Sequence, residues 1–387
     1  MRIGIYGGSF DPPHLGHRRL AEAALGTLEL DRLVLLPAGL PPHKRLAENA
    51  APPEERMKMC RLAFGDLEGA AVSDLEVRRE GPSYTSDTLE LLHEREPEAE
   101  LVLLLGTDML LTMERWYRFR RILELAELAV LPRGSGDDGE LLDACAQLRE
   151  RYGARVTLLE GEPVPVSSTE VRALLPRRAG AELLSPAVYG EIIRLRLYGA
   201  KPDLDWLRGT AFALQDPARL DHVRGCEETA AALAERWGAD PEDAREAAIC
   251  HDLSKKYDLA GQLKLCDEYG IIADTQERAD ARLLHSVTSA AMARDLFGCP
   301  PEIVSAIRWH TTGRAGMTLL EKIVCLADFM EPTRRFADLT RVRSLAYEDL
   351  DAALLLSFEM TLESLDRRGI VPHGNTRSAM NDLKRPG

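Results

Sequence analysis

The chain has 387 residues, enough for two large domains or three ordinary ones, so a small disulfide-stapled module is excluded. Hydrophobic residues make up 45% and charged residues 29%, and no apolar run approaches the roughly 18–20 residues that cross a bilayer, which argues against an integral membrane protein. The formal net charge is −14, so the chain is a poor general binder of nucleic acid, although a local cluster of donors could still hold a phosphate.

Short β-like runs alternate with longer helical patterns from Met1 to about Tyr198. This alternation predicts a Rossmann-like α/β domain over residues 1–200, with a parallel sheet flanked by helices. The first run begins at once, without an apolar leader and cleavage site, so we expect a cytoplasmic protein. The predicted strands are Arg2–Tyr6, Arg32–Pro37, Leu101–Leu105, Ala126–Leu131 and Arg155–Leu159.

Strand signals fade from about residue 205, and helical patterns rich in Ala and Leu take over. They predict an all-α domain over residues 205–387, joined by a Gly- and Pro-containing linker at Gly199–Asp203. The seven cysteines are odd in number and never form C-x-x-C, which indicates reduced structural thiols, and we assign them no role. The predicted helices include Glu227–Trp237, Pro241–His251, Ser286–Phe297 and Leu319–Met330.

The segment from Gly7 to His17 follows the first predicted strand directly and leads into a helix. Gly7 and Gly8 let the backbone approach a ligand closely, and the helix start directs free amides toward the same strand end. His14 and His17 are three residues apart, so both can donate hydrogen bonds to a polyphosphate from one face. The chain has no P-loop sequence, and this segment is not a G-x-G-x-x-G turn, so it is a different kind of phosphate site.

Four further blocks carry polar or charged groups beside predicted strand ends or helix starts. Each has a structural alternative when taken alone: a solvated lysine beside a turn, a helix N-cap or, for Trp116, packing in the core. The blocks are Pro41–Lys44, Ser83–Leu89, Gly106–Asp108 with Trp116 eight residues later, and Val166–Arg172.

The five blocks in this order resemble the bacterial nicotinate-mononucleotide adenylyltransferases over about residues 1–200. The resemblance implies adenylyl transfer from ATP to nicotinate mononucleotide with Mg²⁺, giving deamido-NAD and pyrophosphate, with the motif histidines His14 and His17 as the catalytic residues. Another acceptor, such as phosphopantetheine, stays open, although Thr85 and Trp116 favour the pyridine nucleotide. The implied ATP contacts are Gly7, Ser9, Phe10, His14, His17, Gly106, Asp108, Ser168, Thr169 and Arg172, and the implied nicotinate-mononucleotide contacts are His43, Lys44, Thr85 and Trp116.

The helical half carries a sparse series of histidines and aspartates. Imidazole and carboxylate without thiolate suit iron, manganese or zinc in a reactive site more than a structural zinc site. Any one of these histidines would more often be an ordinary hydrogen-bonded residue, and their joint order carries the argument. Lys255 follows the adjacent His–Asp pair on the same predicted helical side, where it could meet a phosphate oxygen. The series is His222, His251, Asp252, His285, His310 and Asp328.

This series resembles the HD superfamily of metal-dependent phosphohydrolases. Ile307–Gly313 and Ala327–Pro332 are similar to its YqeK-like branch over about residues 205–387. The resemblance implies symmetrical hydrolysis of diadenosine tetraphosphate to two ADP at a two-metal centre, with iron as the expected metal. It implies a core site of His222, His251, Asp252 and Asp328, a second site completed by His285 and His310, and catalytic roles for Asp252 and Lys255.

A regulatory nucleotide-binding module is the alternative for the helical half. For both halves the expected partners are small nucleotides, with no nucleic acid and no membrane, and the sequence leaves the oligomeric state open.

Overall fold

The computed structural model describes residues 1–41, 47–132, 138–162 and 164–385. These residues divide into two compact units, Met1–Lys201 and Pro202–Gly387. The first unit contains a parallel sheet with helices and the second is helical, which confirms the predicted fold class. None of the helices in the described part of the chain is long and apolar enough to cross a membrane.

The sheet of the first unit has the order β3-β2-β1-β4-β5-β6, and every neighbouring pair is parallel. The central strands are apolar on both faces because helices cover both faces of a parallel sheet. The order changes direction between β1 and β4, which creates a crevice at their carboxyl ends. The strands are β1 Arg2–Gly8, β2 Arg32–Pro37, β3 Ala70–Val72, β4 Glu100–Gly106, β5 Ala126–Leu131 and β6 Val156–Leu158.

Helices connect the strands and extend the first unit beyond its last strand. One hydrophobic core lies between the sheet and the helices around β4 and β5, and it includes Leu103, Ile122 and Leu128. The helices are α1 Leu15–Thr27, α2 Pro53–Phe64, α3 Thr85–Arg95, α4 Thr107–Leu111, α5 Phe119–Leu125, α6 Asp138–Tyr152, α7 Ser168–Leu174 and α8 Pro186–Leu195.

The second unit is a bundle in which α10, α11, α13, α14 and α15 surround a set of buried polar side chains. Two hydrophobic clusters pack on either side of this set, one with α15 and α17 and one with α9 and α14. The helices are α9 Leu204–Leu214, α10 Leu220–Trp237, α11 Pro241–Cys250, α12 Leu259–Glu268, α13 Ala281–Phe297, α14 Pro301–Trp309, α15 Leu319–Met330, α16 Leu339–Leu345, α17 Leu350–Arg367 and α18 Gly374–Leu383.

The predicted helix over 241–251 ends one residue early, and this changes how the His–Asp pair is presented. His251 and Asp252 lie after α11 in a series of turns, so the prediction that this pair and Lys255 share one side of a helix is wrong. The Lys255 amide bonds to the Asp252 carbonyl at 3.0 Å, and the Ser254 amide bonds instead to a side-chain hydroxyl of α13. This competing bond explains why the helix does not continue through the pair.

Candidate functional site

The first candidate site lies where the strand order reverses, between β1 and β4. The pairing of Arg2–Ile5 with Glu100–Leu103, continued by three residues, brings Gly8 level with Gly106 at the carboxyl edge. A Cβ atom added at Gly7 or Gly106 would meet no described atom within 4 Å. The space over both strand ends is therefore open in the described part of the chain, at the position where open α/β sheets bind nucleotides.

His14 and His17 lie together at the beginning of α1. His14 is the N-cap residue, and the two ring centroids are 3.7 Å apart. The His14 backbone N–H donates to Nδ1 of His17 at 3.2 Å. Because Nδ1 accepts this bond, the neutral His17 ring carries its hydrogen on Nε2. Nε2 of His17 is therefore a hydrogen-bond donor at the amino end of a helix, where negative charge is stabilised.

The loop between β1 and α1 is held by buried polar contacts. Oδ1 of Asp11 accepts from the Tyr198 hydroxyl at 2.7 Å and from the Ala51 amide at 3.0 Å. Phe10 is fully buried and has a left-handed backbone, with φ of 46°, so it turns the chain sharply between the glycines and Asp11. These contacts fix the backbone that precedes the two histidines.

Arg56 is a fully buried arginine on α2 that supports the same loop. Its guanidinium donates to the carbonyl oxygens of Ser9 at 2.8 Å and of Ala38 at 2.7 Å, with longer bonds to Gly39 and Ala51. Burial is the main cause of a lowered Arg56 pKa, which the charge of nearby Asp11 opposes. One side chain thus connects the ends of β1 and β2, and the sequence reasoning missed it.

The beginning of α7 approaches the loop from another direction. Ser168 donates through its hydroxyl to the Pro12 carbonyl at 2.9 Å, and Arg172 donates to the Asp11 carbonyl and to Oγ1 of Thr169. Ser167 caps the helix, as the N-cap alternative predicted for this block. The structure therefore brings this block against the His14 loop, with exposed Thr169 at the surface.

The residues expected to meet the acceptor are placed differently from one another. His43 and Lys44 lie outside the described residues. Thr85 is the first residue of α3, and Asp108 is exposed on α4 immediately after β4. Trp116 belongs to the hydrophobic core and is only 8% exposed, with Nε1 donating to Thr112 at 3.4 Å. Packing of Trp116 in the core was the structural alternative for this residue, and its stacking on a ligand stays a prediction.

A buried carboxyl group lies under the segment that precedes Thr85. Glu76 accepts from the hydroxyl of Thr88 on α3 at 2.8 Å, and Arg79 donates to the same hydroxyl at 3.1 Å. Burial raises the pKa of Glu76 to about 7 against the opposing effects of Thr88 and Arg79. The Thr88 hydroxyl thus links the first turns of α3 to the buried Glu76 carboxyl.

The second candidate site is a cluster of imidazoles and carboxylates inside the helical unit. His222 Nε2 lies 3.1 Å from Oδ1 of Asp328, and His285 Nε2 lies 3.1 Å from His310 Nε2. The structure thus brings together the six residues singled out in the sequence, from α10, α13 and α15, the turn after α11 and the C-cap of α14. They are His222, His251, Asp252, His285, His310 and Asp328.

Asp252 lies between two halves of this cluster. Its Oδ2 is 3.3 Å from His251 Nε2 and 3.7 Å from His222 Nε2, whereas its Oδ1 is 3.3 Å from His285 Nε2. Burial would raise the pKa of Asp252, but His251 and His285 outweigh it and hold that pKa well below its usual range. An ionised carboxylate with one oxygen toward each half can bridge two cations.

Three of these histidines direct Nε2 toward the centre of the cluster because a hydrogen bond holds their Nδ1. The first two are His251 and His310. Nδ1 of His251 lies 2.6 Å from the Ala248 carbonyl, and Nδ1 of His310 lies 2.7 Å from the Ile307 carbonyl. A carbonyl only accepts, so both Nδ1 atoms carry hydrogen, and in the neutral ring Nε2 keeps a lone pair. Burial lowers the pKa of His310 to about 3, so this ring is neutral at physiological pH.

His222 gains the same orientation from Glu331, a residue that the sequence reasoning missed. Nδ1 of His222 lies 3.0 Å from Oε1 of Glu331, which is fully buried. The approach is possible because Gly225 stands on α10, where an added Cβ would come within 2.5 Å of the Glu331 carboxylate. Carboxylate–histidine pairs of this kind orient metal-binding imidazoles.

Two arginines lie against the carboxylates of this centre, and a lysine lies against one of its imidazoles. Arg219 donates from Nε to Oδ2 of Asp252 at 2.9 Å, and Arg334 donates from Nη2 to Oδ1 of Asp328 at 2.8 Å. Nζ of Lys255 is 3.0 Å from Nε2 of His285. Both arginines are partly exposed, so they lie at the surface side of the centre, and neither was found from the sequence.

The donor set fits a metal centre. It consists of imidazoles with fixed tautomers and ionised carboxylates, and Nε2 of His251 is buried without a hydrogen-bond partner among the described residues. Cys226 also belongs to one of the groups whose ligand atoms lie within 4.8 Å of one another. Its position four residues after His222 was the signal that could have revealed it.

Comparison with known proteins agrees with this division. Residues 5–174 match the cytidylyltransferase-like family model, and residues 219–332 match the HD domain model. A protein of Gloeobacter violaceus named probable nicotinate-nucleotide adenylyltransferase is 43% identical over 187 residues, which cover 48% of this chain and 89% of that protein. One of the same name from Roseiflexus sp. is 44% identical over 171 residues, covering 44% and 83%.

The chain belongs to the nicotinate-nucleotide adenylyltransferase family. The similarity to these relatives spans about half of it, so the HD domain is an addition to the adenylyltransferase domain. A solved structure described as a predicted HD superfamily hydrolase involved in NAD metabolism, from Clostridium acetobutylicum, has 34% identity and a TM-score of 0.45. The similarity covers 46% of this chain and 95% of the Clostridium acetobutylicum chain.

Proposed function

We propose that the adenylyltransferase domain transfers the adenylyl group of ATP to nicotinate mononucleotide and releases pyrophosphate. The observation that carries the proposal is the pair His14 and His17 at the start of α1, beside the open space over Gly7 and Gly106. The names of the family's relatives supply the acceptor. The ATP-binding group is then Gly7, Ser9, Phe10, His14, His17, Gly106, Asp108, Ser168, Thr169 and Arg172, with His43, Lys44, Thr85 and Trp116 toward the acceptor.

The chemistry requires alignment more than activation. The attacking group is the phosphate of nicotinate mononucleotide, which is already ionised, so no protein nucleophile is needed. The bond between the α- and β-phosphates of ATP breaks, and pyrophosphate leaves with the negative charge. The Nε2 hydrogen of His17 donates to the phosphate oxygens as charge develops there. Mg²⁺, when bound with ATP, neutralises part of the triphosphate charge.

An acceptor comparison tests this proposal. The full chain is supplied with ATP, Mg²⁺ and either nicotinate mononucleotide or phosphopantetheine, and pyrophosphate release is measured. We expect turnover with the pyridine nucleotide and formation of deamido-NAD. Turnover with phosphopantetheine alone would overturn the assignment of the acceptor but leave adenylyl transfer in place.

We propose that the HD domain hydrolyses diadenosine tetraphosphate symmetrically to two ADP at a two-metal centre. The proposal is supported by the convergence of Nε2 atoms and carboxylates, with Arg219, Lys255 and Arg334 beside them as partners for a polyphosphate. His222, His251, Asp252 and Asp328 would hold the core metal, and His285 and His310 would complete the second position. Bound cations would supply Lewis-acid stabilisation of phosphate oxygens and a more acidic water.

The protein's own groups would act on the substrate around that centre. Arg219 and Arg334 are charge-paired with the carboxylates in this structure, and both are free to turn toward a phosphate once cations satisfy Asp252 and Asp328. Lys255 would hold a phosphate oxygen close to His285. Water attacks one of the two central phosphorus atoms of the tetraphosphate. The bond from that phosphorus to the oxygen joining the two central phosphates breaks, and one ADP leaves while the other carries the oxygen of the water.

Product analysis distinguishes this activity from the alternatives. The metal-stripped full chain is reloaded with Fe²⁺, Mn²⁺ or Zn²⁺ and given diadenosine tetraphosphate. Two ADP per substrate support the proposal, whereas ATP plus AMP would indicate asymmetrical cleavage. Binding of the dinucleotide without hydrolysis under any of these metals would favour the regulatory module.

A further inference from the structure

Cys226 lies among the ligands proposed for the HD centre. It follows His222 by one helical turn on α10, it is buried, and its Sγ lies 3.5 Å from His222 Nε2. Together with His251 and Asp328 these residues offer four ligand atoms that all lie within 4.8 Å of one another. The Cys226 thiol therefore lies among possible metal ligands, a placement that packing in the hydrophobic core alone would not require.

A second observation points to a ligand at the same place. Nε2 of His251 is buried and makes no hydrogen bond of normal geometry among the described residues, and it lies 3.3 Å from Oδ2 of Asp252 and 3.9 Å from Oδ1 of Asp328. Its Nδ1 is occupied by the Ala248 carbonyl, so the Nε2 lone pair is directed into the cluster. A buried lone pair that meets no donor is costly unless a cation binds it.

The spacings suit ligands of a single ion. With ligand bonds of about 2.0–2.3 Å, neighbouring donors of a tetrahedral site lie about 3.3–3.8 Å apart. The separations here are 3.5 Å for Cys226 Sγ to His222 Nε2, 3.1 Å for His222 Nε2 to Asp328 Oδ1 and 3.9 Å for His251 Nε2 to Asp328 Oδ1. Shifts of a few tenths of an ångström would bring these three edges into that range.

We propose that Cys226 is a further protein ligand of the core metal position, beside His222, His251, Asp252 and Asp328. The inference rests on the metal centre of the proposed function and adds a thiolate to it. On binding, the S–H bond breaks, the proton passes to solvent and the sulfur lone pair binds the cation.

The thiolate would make the two metal positions unequal. The position with Cys226 would have five protein ligands, with Asp252 shared between the two positions. The other, with Asp252, His285 and His310, has three and keeps a place for water or a phosphate. A sulfur ligand also favours zinc or ferrous iron over magnesium or manganese at the position with Cys226. Metal exchange at the two positions should therefore differ.

Cobalt substitution tests the proposal without relying on activity. Metal-stripped full chain is titrated with Co²⁺, and the absorption spectrum is recorded. We expect an intense sulfur-to-cobalt charge-transfer band in the near ultraviolet that is lost in Cys226→Ala. The affinity of the tighter position should fall by at least roughly 10–100-fold, the loss that removal of an outer-shell partner alone can cause. Cys226→Asp should restore affinity without the band.

Cys325→Ala is the matched control, because Cys325 is also buried and lies on α15, three residues before Asp328. It should keep both the band and the affinity. Cobalt d–d bands without a charge-transfer band in the unmodified chain would overturn the role of Cys226 while leaving the metal centre intact. Failure to bind cobalt or zinc at all would instead overturn the proposed centre.

X-ray absorption of the zinc-loaded, unsubstituted chain gives a measurement that needs no variant to fold. A sulfur scatterer at about 2.3 Å is expected beside nitrogen and oxygen at about 2.0–2.1 Å. A shell of nitrogen and oxygen alone would refute ligation by the thiol.

Discussion

The two nitrogens of His17 can be separated by substitution. Asn at this position places an amide oxygen near the place of Nδ1, where it can still accept from the His14 amide. Gln reaches further and places an amide N–H near the place of Nε2, but it gives up the contact with the helix start. His17→Asn therefore keeps the cap and removes the phosphate donor, and His17→Gln does the reverse.

The expected magnitudes differ between the two functions. Loss of one donor to the charge of a transition state lowers kcat by about 10²–10³-fold, or about 2.7–4 kcal/mol. Loss of the 3.2 Å cap bond costs about 0.5–1.5 kcal/mol of domain stability. We expect His17→Asn to lose the activity and keep the stability, and His17→Gln to keep more of the activity and lose about 1 kcal/mol of stability.

Pyrophosphate release at saturating ATP and nicotinate mononucleotide measures kcat. Calorimetry measures the stability of the adenylyltransferase domain, whose unfolding transition is identified as the one that an ATP analogue shifts to higher temperature. His17→Ala, which loses both contacts, is the reference for the combined loss. If the Asn variant turned over like the unmodified chain while the Gln variant did not, Nε2 would have no part in the reaction, and the reasoning would be refuted.

Three further outcomes are expected. Arg56→Met should lower the free energy of unfolding of the adenylyltransferase domain by about 3–6 kcal/mol, because two short hydrogen bonds from a charged donor to carbonyl oxygens are lost. Amide hydrogen exchange in the β1–α1 loop should become faster, and unchanged exchange there would contradict this role of Arg56. Glu76→Gln should stabilise the adenylyltransferase domain by about 3 kcal/mol at pH 8, and the gain should become small near pH 5. The pKa of Glu76 is about 7 in the folded state and lower in the unfolded state, so the folded state loses stability as the pH rises between these two values. A calorimetric difference that does not change with pH would argue against this. Asp252→Asn should remove metal binding and dinucleotide hydrolysis while adenylyl transfer stays unchanged, as metal analysis with both assays would check; full hydrolysis by this variant would exclude the centre.

Apolar runs in the sequence predicted the inner strands of the sheet better than its edge strands. β2 and β5 have the predicted bounds, and each contains an uninterrupted run of four apolar residues, Leu33–Leu36 and Leu128–Leu131. β3 was not predicted, since Ala70–Val72 is only three residues with two alanines, and alanine has little preference for strands. The end of α11 also differed, because bonds to a distant helix decide where it stops, and such bonds leave no local pattern.

The sites were predictable where order and spacing carry the information. The six histidines and aspartates of the helical half could be selected from their order, and the structure brings them into one cluster. Arg56 could not be found in this way, because on a helix it looks like any surface arginine, and its carbonyl partners come from separate segments. Glu331 and Cys226 lie in register with neighbouring ligands but have meaning only once α10 and α15 are packed together.

The outermost strands of the sheet, Ala70–Val72 and Val156–Leu158, have three residues each. A short border strand offers few unpaired amides and carbonyls to another chain, so it protects a sheet against edge-to-edge aggregation. The apolar central strands, which would be the most hazardous if uncovered, are paired on both sides. Solubility of this domain during folding should therefore depend on how early those two brief border strands dock.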